Sequence, residues 1–94
     1  MGTYQLYYIK ICSGMAYLAA HAEDGDRETM RSILTKVMDD AEAAARRRGF
    51  NRSAYRGAIE ALGEAAAAAS DWLQRGDYQK MRETIAEAMA RTAR

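Results

Sequence analysis

Only glycine interrupts this chain. None of its 94 residues is proline, and 20 are alanine, the residue that favours helix most strongly. β-Branched and aromatic residues never alternate with polar ones over a useful run, so no strand pattern competes. The chain therefore reads as all-α. Its breaks fall where glycine is followed by a capping residue: Gly25-Asp26, Gly49-Phe50-Asn51 and Gly76-Asp77. Glycine relieves the left-handed residue past one helix end, and Asp or Asn accepts from the free amides of the next. The spacing predicts helices over about 3–23, 27–48, 52–75 and 78–92. Connections this short make neighbours antiparallel, giving an antiparallel four-helix arrangement of two helical hairpins in one domain, 1–94.

At 100° per residue each helix shows which face is apolar. The second gathers Met30, Ile33, Leu34, Val37, Met38, Ala41, Ala44 and Ala45. The third stacks Tyr55, Ile59, Leu62, Ala66, Ala69 and Leu73, widened by Ala58, Ala65 and Trp72, and its run Ala65–Ala69 invites a close partner helix. The fourth gathers Tyr78, Met81, Ile85, Ala88 and Met89. Helix 1 departs from this one-sided pattern. Tyr4, Tyr8, Ile11, Met15, Leu18 and Ala22 form a seam, and Ile9, Cys12, Ala16, Ala19 and Ala20 extend it to about 200°. Only Thr3, Lys10, Ser13, Tyr17 and His21 make a polar strip. An edge helix of a small bundle needs an apolar stripe of roughly 100°. The surplus leads us to expect a homo-oligomer, with Tyr4, Tyr8, Ile11, Met15 and Leu18 as its interface. A glycine inside that helix, Gly14, is a candidate kink.

The two hairpins also resemble each other. Tyr4, Ala16, Gly25, Asp26, Met30, Arg31 and Met38 recur 51 residues later as Tyr55, Ala67, Gly76, Asp77, Met81, Arg82 and Met89. A duplicated hairpin leaves such a trace, although capping chemistry alone favours Gly-Asp twice.

Constellations for catalysis are missing. The lone His21 has Leu18 three residues before it, where a di-iron helix carries Glu. Glu60 and Glu64 lie one turn apart but on the polar face of their helix. Cys12 and His21 are nine residues apart, half a turn out of phase, so they point in opposite directions. No nucleophile elbow or Gly-rich phosphate loop is present. We therefore expect no catalytic residue, no metal, no cofactor and no enzyme activity. A single cysteine forbids an internal disulfide, and a net charge of +1 argues against a nucleic-acid coat. The apolar opening carries Lys10 within it and no basic stretch before it, which argues against a signal peptide or a membrane span and favours a cytoplasmic protein.

One local anomaly remains. Between Ala43 and Ile59 stand Arg46, Arg47, Arg48, Arg52 and Arg56 with no acid, and Phe50 and Tyr55 are interleaved. Arginine with aromatics at a helix junction suits a partner surface, or phosphate and base stacking. Local pairing with Asp39, Asp40 and Glu42, and complementing the negative end of the second helix, are the plainer uses. A helix-turn-helix is disfavoured, because a helix of some 22 residues is too long for that motif. The balance favours a non-enzymatic interaction module: a small regulator, adaptor or inhibitor of a larger protein. Its size matches many phage and mobile-element products. The alternative is nucleic-acid or nucleotide-phosphate binding through the basic corner.

Overall fold

A computed structural model describes residues 2–21 and 26–93. Four helices follow one another: α1 (Thr3–His21), α2 (Arg27–Ala45), α3 (Arg56–Gln74) and α4 (Tyr78–Thr92), with a short 3-10 turn at Phe50–Arg52 between α2 and α3. The expected break at Gly25, the last residues of the first helix and the seam residue Ala22 lie outside the described residues.

The caps work as the sequence implies at two of the breaks. Asp26 accepts from the Thr29 amide at 3.3 Å, and Asp77 accepts from the Lys80 amide at 3.0 Å. In each case the first inward residue of the helix is a buried methionine, Met30 or Met81. Gly76 takes a left-handed φ of 78°, its amide bonding to Leu73 O while the Asp77 amide reaches back to Trp72 O. That pair of bonds is the Schellman termination for which glycine is selected.

At the α2–α3 junction the expectation fails. α2 stops at Ala45 rather than 48, and α3 starts at Arg56 rather than 52. Phe50 is the cause. Its side chain is buried against the Tyr4 ring, centroids 5.8 Å apart, which pulls the chain inward through a left-handed Gly49 at φ 88°. Asn51 consequently caps nothing; Ser53 Oγ instead accepts from the Tyr55 amide at 3.0 Å.

The helices form a closed four-sided bundle. α3 packs most extensively, against both α2 and α4, while α1 closes the fourth side between α2 and α4 and reaches α3 across the core. Ile11, Met15, Leu18, Met30, Leu34, Ile59, Leu62, Leu73, Met81 and Ile85 are completely enclosed, and no polar or charged residue among those described is buried. Small residues set the closest approaches. A methyl on Gly63 would stand 2.9 Å from Ala41 Cβ, and one on Gly14 would stand 3.0 Å from Val37 Cγ2. Gly14 thus serves α1–α2 contact, and α1 runs through it as one helix.

Side-chain clips fasten the ends. Tyr4 Oη donates to Arg48 O at 2.6 Å, Tyr8 Oη donates to Thr92 O at 2.9 Å, and Arg27 Nη2 donates to Gln74 O at 2.8 Å. Among the described residues no helix is long and apolar enough to cross a membrane.

Candidate interaction site

Two surfaces stand out, the basic corner and the outer face of α1. At the corner, the five arginines do not act as one cluster. Arg46 is paired with Glu42 and Arg56 Nε with Glu60 Oε1 at 3.2 Å, each one helical turn away. Such exposed pairs contribute little stability but do occupy the charge. Arg47, Arg48 and Arg52 make no ion pair with a described residue, and all three are exposed. They surround a shallow concavity of about 270 Å³ that also touches Asn51.

Of the interleaved aromatics, Phe50 lines that concavity with only 4% of its surface exposed, and Tyr55 does not line it. Phe50 is core, and Tyr55 is half-buried with its ring 5.3 Å from that of Tyr8. An apolar ring inside an arginine-rich loop is better sheltered than left in water, so the expected stacking platform is absent. What the rings do is hold the corner in place from below, together with the Tyr4–Arg48 hydrogen bond.

The helix-1 seam also turns out differently. Ile11, Met15 and Leu18 are fully buried, and Tyr4 and Tyr8 are half-buried, all against the chain's own core. The large apolar side chains that α1 leaves to solvent are therefore others. Those are Leu6, 48% exposed, Ile9, 41%, and Tyr17, 43%, the large hydrophobic side chains left exposed among the described residues. With Ser13, Ala16 and Ala20 they line the outward face, flanked by Lys10 and His21. The sequence hides Leu6 because it sits beside the polar strip on the helical wheel. Its signal is the spacing Leu6, Ile9, Ser13, Ala16, Ala20, whose alternating steps of three and four make a second seam.

Beside this face, between α1 and α2, lies an apolar cleft of about 310 Å³. Gly14, Ile33 and Val37 floor it, and Ile9 and Ser13 form one wall. On its rim Lys10 and Lys36 both approach Asp40, at 3.9 and 3.8 Å. Asp40 thus serves these lysines rather than the arginines of the corner.

The other candidates for chemistry are dispersed. Cys12 is half-buried, and burial pushes its thiol up, offset in part by the Tyr8 hydroxyl. A raised thiol is a poor nucleophile near neutral pH. His21 is exposed with its ring 4.5 Å from Tyr17. Glu60 and Glu64 are both exposed. Among the described residues no three His, Cys, Asp or Glu side chains are placed to hold a metal ion. No family model, curated protein or solved structure matches the chain.

Proposed function

We propose that the protein is a small non-enzymatic regulator, adaptor or inhibitor that docks on an acidic patch of a larger protein through its basic corner. The observation that carries this reading is the set of three exposed arginines, Arg47, Arg48 and Arg52, without acidic partners among the described residues and set on a backbone turn that the Tyr4 hydroxyl fastens at Arg48 O. Arginine suits bidentate recognition of carboxylates, and a backbone anchored at Arg48 O leaves chiefly the side chains to be ordered on binding. A cytoplasmic setting fits an adaptor of this kind.

The same charges support a second reading, a phosphate or nucleic-acid ligand. It is the weaker one, because Phe50 and Tyr55 are turned into the bundle and the whole chain carries only +1. The test is affinity capture from nuclease-treated and untreated lysate, comparing the wild type with an Arg47→Glu/Arg52→Glu variant of unchanged helicity. Loss of a nuclease-insensitive partner in the variant supports protein docking; an unchanged set of captured proteins overturns it. For the second reading, three free arginines predict a slope of log affinity against log salt of about −3 on duplex DNA. No binding to DNA or RNA at about 50 mM salt removes it.

A further inference from the structure

The outer face of α1 is independent of the corner and has its own logic. Leu6, Ile9, Ser13, Ala16 and Ala20 fall within about 80° of one another at 100° per residue. Their sizes are graded. The large side chains, Leu6 and Ile9, occupy the first half of α1, and the small ones, Ala16 and Ala20, the second. No acid lies on α1, and Lys10 flanks the seam on the side facing α2, where it approaches Asp40.

From this we infer that α1 binds a second copy of this chain, antiparallel, about a two-fold axis at Ser13. An antiparallel register centred there sets Leu6 of each copy level with Ala20 of the other and Ile9 within one residue of Ala16, so the large half of each face meets the small half of the other. Such a face is complementary to itself, which is what a two-fold interface requires. A parallel register sets Leu6 against Leu6 and Ala20 against Ala20, crowding one end of the face and leaving a gap at the other. The antiparallel one places both lysines on the same flank, about 9 Å apart along the axis at 1.5 Å per residue.

The cleft between α1 and α2 strengthens the assignment. In a two-fold pair the α2 side of one α1 lies next to the α2 side of the other. Tyr17 stands on that side, and the Ser13 register places it opposite the level of Ile9 and Lys10 in the second copy. That is the mouth of the cleft floored by Gly14, Ile33 and Val37. Each half-exposed ring therefore meets a half-empty apolar cleft, twice per dimer. Lys10 on the rim adds a cation beside the incoming ring.

The face is one helix of 19 residues, about 28 Å long. Each copy covers a few hundred Å², in the range of reversible interfaces below about 1,200 Å² in total. The dimer is accordingly concentration-dependent, and it carries its two basic corners at opposite extremities.

Sedimentation equilibrium of the full chain, from about 5 to about 500 μM, brackets affinities of that class. The expected result is a mass rising from 10.5 kDa toward twice that value. Ile9→Glu should stay monomeric across the range with unchanged helicity, and Tyr17→Ala should weaken association at least tenfold. In a Cys12→Ser background, Ser13→Cys should form a disulfide dimer under mild oxidation, while Leu6→Cys alone should not. Leu6→Cys should cross-link only when Ala20→Cys is supplied on the other copy. A wild-type chain that remains monomeric at the highest concentration overturns the proposal. So does efficient cross-linking of Leu6→Cys to itself, which reports a parallel pair.

Discussion

α1 and α3 are both 19 residues long and sit diagonally across the same core, yet they solve opposite problems. α3 encloses seven side chains, among them Ala58, Ala65, Ala66 and Ala69, whose small size lets α2 and α4 close in from both sides. α1 encloses three, Ile11, Met15 and Leu18, and leaves Leu6, Ile9 and Tyr17 in water. The difference lies in how apolar residues are arranged more than in how many there are. In α3 they cluster on one side; in α1 they form two seams on nearly opposite sides, and a four-helix ring shelters only the inner one. Small side chains make a helix central here, and large ones spread around a helix make it adhesive.

Substitution tests this contrast most strongly at paired leucines. Leu62→Ala should lower unfolding free energy by about 2–5 kcal/mol in urea titrations, because a large enclosed side chain leaves a cavity. Leu6→Ala should change it by less than about 0.5 kcal/mol in a dilute monomer. Equal losses would erase the distinction between the two helices.

Glycines sharpen it next. Gly63→Ala forces a methyl against Ala41 Cβ and should cost about 1–2 kcal/mol. On the same helix a methyl at Gly57 would meet nothing within 4 Å, and Gly57→Ala should stabilise by about 0.5–1 kcal/mol. Thermal melts of the two variants should therefore move in opposite directions. Smaller still, Asp26→Ala and Asp77→Ala should each cost about 1 kcal/mol, since each removes a backbone cap bond, and Asp26→Ala also the bond from Thr29 Oγ1. A null effect at either site would mean that the shared Gly-Asp pattern does not stabilise both hairpins.

The smallest effect concerns pH. Burial raises the Cys12 thiol in the folded chain, so the folded state holds its proton more tightly than the unfolded one. This stabilisation is present below the ordinary thiol pKa and is lost as pH rises through the raised one. Alkylation of Cys12 should be slower at neutral pH than that of a small free thiol, and Cys12→Ser should flatten the alkaline decline in stability.

Much of the architecture is legible in the sequence because local and global signals agree. α4 begins and ends where the Gly-Asp cap and its apolar spacing put it, and the core face of α3 is the one its periodicity marks. The α2–α3 junction is misleading because Arg46, Arg47 and Arg48 extend the helical pattern to Gly49 and Asn51 looks like the cap of a helix that starts at Arg52. Phe50 overrides them once it finds Tyr4, a partner 46 positions away that no local pattern reveals. The face of α1 misleads for a related reason. A wheel shows that the arc is too wide but does not say which half the bundle takes. Tyr4, Tyr8, Ile11, Met15 and Leu18 fill more volume, so the core takes them, and the lighter seam is what remains outside.

The hydrogen bond from Tyr8 to Thr92 joins residues 84 positions apart. On a ribosome, α1 emerges well before its fourth wall, α4. At about 5–20 residues per second, the 71 residues from the end of α1 to the end of α4 take about 4–14 s to add. Throughout that interval the inner seam of α1 lacks its α4 wall, and the outer seam stands bare to whatever the nascent chain encounters.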